Sequence, residues 1–182
     1  MEKREKSSKK LILVFLLPFL IWTILLFISP MAIQENSVKD LSGYTAINDN
    51  QDKIKNMSTP WNLVYSTGDK MCHQKAERSF FINGNQMPFC SRCVAIFLGV
   101  TIGLGFMIFY KIKLDEKFLF LLIASIAPMG IDGVGQLIGL WESTNITRVI
   151  TGLAVGVFCG IAISVIIDEI KEMFVSKKTQ NN

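Results

Sequence analysis

CSRCVAIFLGVTIGLGFMIFY, residues 90–110, joins a Cys-x-x-Cys pair directly to a long apolar run. Residues 93–110 carry no charge, which makes an uncharged run of 18. A helix needs roughly 20 mainly apolar residues to cross the hydrocarbon core of a bilayer. This stretch therefore predicts a transmembrane helix with two thiols where it begins.

Three further apolar runs surround this stretch. Residues 11–34 and 149–167 carry no charge, and residues 118–141 carry one, Asp132. A soluble four-helix protein would need a polar stripe on each helix, and these runs have none. The chain is therefore predicted to be an all-α membrane protein. Its four transmembrane helices are expected near residues 11–33, 94–110, 118–140 and 148–167.

The first run follows the basic lead MEKREKSSKK, which is also typical of a cleaved signal peptide. A signal core is only about 7–15 apolar residues long, however. Here the run continues to Ile33 without a small-x-small cleavage site, so an uncleaved membrane anchor is the expectation. Pro18 is tolerated inside it because membrane helices can satisfy the freed backbone groups.

The basic residues indicate an orientation. Segments 1–10, 111–117 and 168–182 hold 11 of the 19 Lys and Arg residues in only 32 residues. By the positive-inside rule, both termini and the 111–117 turn are predicted to be cytoplasmic. Segment 35–92 then lies outside the cytoplasm. The net charge of +4 is explained by topology, so we expect a multi-pass protein of the cell membrane, with lipid and not nucleic acid as its surroundings.

The chain is predicted to divide into five segments. They are the basic N-terminus with helix one (1–34), a polar linker with one short surface helix (35–59), a Cys/His loop (60–93), a three-helix core (94–168) and a cytoplasmic tail (169–182). The loop is too small to fold on an ordinary core, so it needs a staple, a metal or the membrane surface. Its Asn83-Gly84 step predicts a hairpin with strands at 79–82 and 86–89.

Three of the four cysteines and the single histidine lie within 22 residues: Cys72, His73, Cys90 and Cys93. Thiolates suit Zn²⁺, and a tetrahedral site needs three or four such ligands. The three cysteines are the expected ligands, with His73 as the fourth ligand or a neighbouring base. Two alternatives stay open, since spacing does not separate a thiolate from a disulfide. One is a redox pair at Cys90 and Cys93, and the other is an inert staple.

A second polar group is predicted at the same membrane face. Asp132 is a carboxylate inside a transmembrane segment, and such groups usually face the bundle interior. Gln136 lies one helical turn further out. Asn145 and Arg148 open the next helix, which Asn145 or Thr147 could cap. An Asp132–Arg148 ion pair that only fixes helix packing is weighed equally with a functional role for Asp132.

Glycines recur at four-residue spacing in three of the predicted helices, and these ridges are interpreted as helix-packing sites. They are Gly99 and Gly103, Gly135 and Gly139, and Gly152, Gly156 and Gly160. Cys159, in the middle of the last helix, is interpreted as a small buried apolar residue.

These motifs resemble the DUF2085 family of uncharacterised prokaryotic membrane proteins. The resemblance covers about residues 60–160. It rests on Cys72-His73-Gln74, Arg78-Ser79-Phe80-Phe81, Cys90-Ser91-Arg92-Cys93, Gly99, Asp132, Gln136, Ser143-Thr144-Asn145, Arg148 and Thr151-Gly152. Family members often carry Thr-Gly after the second Cys of the pair, where this chain has Val94-Ala95. The resemblance implies an integral membrane protein with a shared Cys/His and polar site, and it implies no particular activity.

The sequence thus predicts an extracytoplasmic Cys/His site, holding zinc, above a polar cleft in the membrane. The candidates for binding a small polar or anionic group are Gln136, Asn145, Arg148 and Arg78, and the candidate catalytic residues are Asp132 and His73. If the site is catalytic, metal-assisted hydrolysis with Asp132 as general base is one option. The rivals are a membrane thiol–disulfide or quinone-type oxidoreductase, laid out like vitamin K epoxide reductase, and a small transporter or accessory subunit that would have to form a homo-oligomer.

Overall fold

The computed structural model describes residues 2–3, 6–41 and 49–180. Four long helices carry the fold, joined by a 58-residue loop and two short turns. The elements are β1 (Glu2–Lys3), α1 (Lys6–Ala32), α2 (Gln51–Ile54), α3 (Trp61–Met71), a 3-10 helix (Ala76–Arg78), β2 (Phe81–Ile82), β3 (Asn85–Gln86), α4 (Ser91–Phe109), β4 (Tyr110–Lys111), α5 (Glu116–Leu137) and α6 (Asn145–Gln180).

Helices α1, α4, α5 and α6 are each long and apolar enough to cross a membrane, which confirms the predicted all-α class and helix count. The last helix is longer than expected. It continues to Gln180, well beyond the predicted end at residue 167. Its 36 residues correspond to about 54 Å at 1.5 Å per residue, against about 30 Å for the hydrocarbon core. The end of α6 therefore extends beyond the apolar layer.

Helices α4 and α6 form the centre of the bundle, and glycines let their backbones touch. A Cβ atom at Gly99 would lie 2.8 Å from the Cα of Gly156, and one at Gly103 would lie 2.3 Å from the carbonyl oxygen of Val157. Residues 152, 156 and 160 of α6 face α4 equally closely. The packing role predicted for these glycines is therefore confirmed.

A matched pair of substitutions on α4 tests this contact. Gly103→Ala should destabilise the protein by ~1–3 kcal/mol, because the added methyl group meets backbone that cannot move aside as a side chain could. Gly105→Ala is the control, since a Cβ there has no atom within 4 Å and alanine favours helix. Thermal melting in detergent measures both. Equal melting temperatures for the two variants would contradict the close contact.

The pair Gly135 and Gly139 does not form a helix-packing ridge as predicted. The indole of Trp141 covers Gly135, at 2.2 Å from the position of a Cβ. Gly139 lies beyond the end of α5, in the left-handed region with φ 75°. There it closes a Schellman turn in which the Leu140 amide donates to the Gly135 carbonyl at 2.9 Å. These glycines end the helix and bring the chain back over it.

Buried amide side chains hold the loop between α1 and α4. Asn85 donates to the carbonyls of Pro30 and Gln34, at 2.9 and 3.0 Å, and accepts from the Val38 amide at 2.9 Å. Gln86 accepts from the Leu41 amide at 2.9 Å and donates to the Gln74 carbonyl. Such bonds replace the backbone partners that an irregular loop lacks. These bonds tie the hairpin to the end of α1 and to the residues that follow it.

The hairpin predicted at Asn83-Gly84 is present but shorter than expected. Phe81 pairs with Gln86 and Ile82 with Asn85, and both turn residues have positive φ, 53° and 68°. Each strand is only two residues long. In the second strand, the side chains of Asn85 and Gln86 are buried and belong to the amide network. The turn directs the chain back toward the end of α3, where Cys72 lies.

The loop packs onto the membrane helices through a cluster of aromatic rings. Phe89 lies edge-on to Trp22 of α1 and to Phe97 of α4, with ring centroids 6.1 and 5.6 Å apart. Leu26, Val64 and other buried apolar side chains complete this cluster. Burial of these rings fixes the segment that leads into Cys90.

The other end of the bundle gathers the basic segments. Strand β1 pairs with β4, with Glu2 opposite Lys111. Lys111 also pairs with Glu172 at 2.6 Å, and Lys171 donates to Ser8 at 3.1 Å. The chain start, the α4–α5 turn and the end of α6 therefore share one end, opposite the cysteine-bearing loop.

Candidate metal centre

Three cysteine sulfurs converge where α3 ends and α4 begins. Cys72 follows the last residue of α3, Cys90 directly precedes α4, and Cys93 lies in the first turn of α4. Their Sγ atoms all lie within 4.8 Å of one another, and those of Cys90 and Cys93 are 3.5 Å apart. Two helix ends and the hairpin between them thus bring together residues that are 18 positions apart.

Hydrogen bonds shift the pKa values of the Cys72 and Cys90 thiols in opposite directions. The Cys90 amide donates to the Cys72 Sγ at 3.3 Å. The hydrogen bond with the Cys72 thiol is the largest of the effects that hold the pKa of Cys90 well below its usual value; Cys93 and the first amides of α4 add to it. The same contact raises the pKa of Cys72. A thiolate is therefore favoured at Cys90, and thiolates are the form that binds metals or attacks disulfides.

The spacing of the sulfurs fits a tetrahedral metal ion. With zinc–sulfur bonds of about 2.3 Å, ideal tetrahedral geometry places two sulfurs about 3.8 Å apart. The observed 3.5 Å between Cys90 and Cys93 and the 4.8 Å limit for the whole group bracket that value. All four cysteines are free thiols in the structure. The cluster is thus compatible with a metal without rearrangement of the backbone.

His73 lies apart from the sulfurs. Among the described residues, the group close enough to share one ion contains the three cysteines and not His73. Cys72 has extended backbone, with φ −139° and ψ 147°, so successive side chains point to opposite sides. His73 is exposed and lines the cavity beside the sulfurs. Of the two roles expected for it, this placement suits a neighbouring base better than a fourth ligand.

The sulfurs open onto a cavity of about 580 Å³, called here the thiol cavity. Besides the three cysteines and His73, its wall contains four basic residues: Lys75, Arg78, Arg92 and Arg148. Gln136, Gly133 and Leu137 of α5 and Met71 of α3 complete the lining. Four of the predicted candidates, His73 and Arg78 of the loop and Gln136 and Arg148 of the membrane helices, therefore meet around one space with the cysteines.

Two arginines converge on Gln136 inside this cavity. Because both neighbours are donors, the Gln136 amide is oriented with its oxygen toward them. It then accepts from Nη2 of Arg78 and Nη2 of Arg148, each at 3.0 Å. Arg78 comes from the 3-10 helix of the loop, whereas Arg148 lies in the first turn of α6 and is only 4% exposed. Two guanidinium groups thus share one neutral oxygen.

Asp132 forms its ion pair with Arg92. The sequence interpretation had Arg148 as the partner of Asp132, so that expected pair is wrong. Its carboxylate also accepts from the Ser143 hydroxyl at 2.8 Å and, more weakly, from the Trp141 indole at 3.4 Å. Arg92 lies in the first turn of α4, and its side chain reaches across to Asp132 of α5. Both of these helices pack against α6. Asp132 is 6% exposed and stands behind Arg92 and outside the cavity lining.

Asn145 joins two helix beginnings. Its Oδ1 accepts from the Ser91 hydroxyl at 2.9 Å and from Nη1 of Arg148 at 3.1 Å. The helix cap predicted at Asn145 or Thr147 is instead Thr144, whose hydroxyl accepts from the Thr147 amide at 3.2 Å. Asn145 therefore orients Arg148 and lies outside the cavity lining.

Sequence reasoning missed two parts of this site. The sequence does not identify Lys75 as a cavity residue, and it presents Arg92 only as part of the Cys90-Ser91-Arg92-Cys93 motif, without a role of its own. Arg92 could have been found from charge balance, since a carboxylate inside a membrane helix needs a partner near its own depth. No comparable sequence pattern identifies Lys75. The residue before it, Gln74, has its backbone in the left-handed region, with φ 45°.

Comparisons with known proteins agree with this architecture. A family model, DUF2085, described as "Predicted membrane protein", matches residues 72–174. An uncharacterized protein of Methanocaldococcus jannaschii is 36% identical over 151 residues, covering 81% of this chain and 86% of its own. One of Methanothermobacter thermautotrophicus is 37% identical over 87 residues, covering 48% of this chain and 78% of its own. No solved structure matches.

Proposed function

This chain belongs to the DUF2085 family of predicted membrane proteins, and on that premise we propose that it is a membrane metal-binding protein whose Cys72, Cys90 and Cys93 hold one zinc ion. The carrying observation is that three sulfurs, and not two, lie within 4.8 Å of one another. A redox pair needs only Cys90 and Cys93. The third sulfur and the amide that donates to it suit a metal site, where hydrogen bonds to a ligand atom orient that ligand.

The proposed ion has three protein ligands and an open fourth position toward the thiol cavity. Zinc sites of this kind polarise a bound oxygen or lower the pKa of bound water. His73, at the cavity wall, is placed to exchange a proton with the solvent. Gln136, Arg78 and Arg148 would bind the rest of a polar molecule. Asp132, held by Arg92 and Ser143, serves in this proposal to position Arg92; its predicted role as general base stays a prediction.

Metal analysis of the purified full-length protein tests this proposal. Purification without chelators should give about one zinc per chain by inductively coupled plasma mass spectrometry. The second candidate, a thiol–disulfide oxidoreductase, is favoured by the low pKa of Cys90 beside Cys93 at the start of a helix. A metal-free protein with a reducible bond between Cys90 and Cys93 would replace the metal proposal by this one.

We further propose that the metal site faces the outside of the cell and that both termini face the cytoplasm. The clustering of the basic segments at the opposite end of the bundle supports this orientation. A membrane-impermeant maleimide should label Glu77→Cys, in the loop, in intact cells. It should label Glu116→Cys, at the start of α5, only after lysis. Both residues are exposed, so the unsubstituted chain is the background control. The reverse pattern would invert the topology.

A further inference from the structure

The thiol cavity keeps an excess of positive charge. Lys75, Arg78, Arg92 and Arg148 line it. Asp132 balances Arg92, and the exposed Glu77 lies 3.8 Å from Nε of Arg78. A zinc ion held by three thiolates carries one net negative charge. When Asp132, Glu77 and the zinc–thiolate group are all counted as negative charges, the four basic residues still leave one positive charge unbalanced. Among the described side chains, Arg148 has no ion-pair partner. The cavity is therefore suited to an anion.

The arrangement of donors points to a phosphate group. Nη2 of Arg78 and Nη2 of Arg148 both lie 3.0 Å from one Gln136 oxygen, so the two guanidinium groups are within reach of one small ligand. Nε of Arg78 is buried and has no hydrogen-bond partner. A guanidinium presents a planar fork of donors that matches the oxygens of a phosphate. Two forks that share a single neutral acceptor have donors to spare for such an ion.

An apolar groove adjoins the cavity. This groove, of about 440 Å³, is lined by Pro18, Phe19 and Trp22 of α1, Leu63 and Met71 of α3, and Phe97 of α4. Met71 also lines the thiol cavity, so the two spaces share a wall. The groove descends from the loop end of the bundle along membrane-spanning helices. A ligand with a charged head in the cavity and an apolar chain in the groove would pass over the Met71 side chain, which is exposed.

We propose that the thiol cavity binds the phosphate group of an anionic phospholipid, whose acyl chain lies in the apolar groove. Arg78 and Arg148 hold the phosphate, and one of the two arginine donors turns from the Gln136 oxygen to a phosphate oxygen. The inference rests on the proposed function in that it takes the space beside the metal as the ligand site. It names the chemical class of that ligand, which the metal alone does not.

Lipid binding to the full-length protein in neutral detergent tests this proposal. Native mass spectrometry would compare phosphatidic acid with diacylglycerol of the same chains, and zinc would be measured on the same samples. Phosphatidic acid should bind at least about tenfold more tightly, since a charged hydrogen-bonded pair is worth a factor of that order. Arg78→Gln should remove about that factor, whereas Arg78→Lys should retain part of it. Lys55→Gln, on the exposed loop surface, is the control and should bind normally.

Each outcome decides between specific alternatives. Equal binding of phosphatidic acid and diacylglycerol, or unchanged binding in Arg78→Gln, would overturn the proposal. Inorganic phosphate that binds as tightly as phosphatidic acid would show that the source is a soluble phosphate and the groove plays no part. Phosphate-selective lipid binding by a zinc-free protein would uphold this inference while the metal proposal fails. Zinc without lipid selectivity would give the opposite result.

Discussion

Cys90→Ser should reduce the bound zinc from about one ion per chain to nearly none. The Cys90 sulfur lies 3.5 Å from the Cys93 sulfur, and the Cys90 amide donates to the Cys72 sulfur. A serine hydroxyl stays protonated at neutral pH, so it cannot replace a thiolate ligand. Two remaining sulfurs are fewer ligands than a stable zinc site uses. Metal analysis after gel filtration measures the loss directly.

The same substitution should destabilise the loop. Metal binding contributes folding free energy when the ligands come from segments that the ion ties together, and here it ties the end of α3 to the start of α4. The loop also has its own amide network and aromatic contacts, so we expect local opening and not complete unfolding. Limited proteolysis should therefore cut the variant between residues 72 and 90 at protease concentrations that leave the parent chain intact.

Cys159→Ser is the matched control for this experiment. Cys159 lies in α6, packed among apolar side chains and away from the cluster. The Cys159→Ser substitution removes one thiol without changing a proposed ligand, so metal content and protease resistance should stay the same. A Cys90→Ser protein that retains stoichiometric zinc would contradict the ligand set, and loss of zinc in both variants would indicate general misfolding.

The sequence predicts the parts of this protein that depend on local composition. Apolar runs of membrane length with at most one charge identify the four helices, because a helix satisfies every backbone group of such a run within the segment itself. Asn83-Gly84 identifies the hairpin, because both residues tolerate positive φ. That hairpin turns the chain toward Cys72, so the convergence of the three cysteines could be expected from spacing and one turn. These features are encoded within a few residues of where they act.

Other features depend on rotation and contact between elements, which spacing does not encode. Asp132 has two basic candidates at its membrane face, Arg92 and Arg148, and sequence spacing does not show that the partner is Arg92. His73 is next to a predicted ligand, yet the extended backbone at Cys72 turns it away from the sulfurs.

The buried amides of the loop were missed for a related reason. Asn85 and Gln86 belong to residue types that are usually exposed, and a hairpin signal gives no reason to bury them. Their burial becomes understandable only when the unpaired backbone groups of Val38 and Leu41 are seen opposite them.

Asp132→Ala should cost ~3–5 kcal/mol of stability, because it leaves a largely buried Arg92 charge without its partner. The Asp132 and Arg92 side chains are only 7% and 23% exposed. The substitution also removes the acceptor of the Ser143 hydroxyl and of the Trp141 indole, which fold the α5–α6 turn over the site. Thermal melting in detergent should show a midpoint lower by about 10 °C, given the usual dependence for chains of this size. Asp52→Ala is the control, since it breaks only the exposed Asp52–Lys55 pair, and pairs of exposed charges contribute little to stability.

A second change separates a packing role of the pair from a chemical role of the carboxylate. Replacing both partners by apolar residues, Arg92→Met with Asp132→Leu, removes the unpaired charge and should recover much of the lost stability. If Asp132 acts only by holding Arg92, the double variant should still bind zinc. A carboxylate that acts as a general base predicts a different pattern, in which Asp132→Asn melts close to the parent chain and retains zinc but loses any zinc-dependent hydrolysis. Melting temperature, metal content and any zinc-dependent hydrolysis should be measured on the parent chain, Asp132→Ala, Asp132→Asn and the double variant. Together they decide between an ion pair that joins α4 to α5 and a carboxylate that takes part in chemistry.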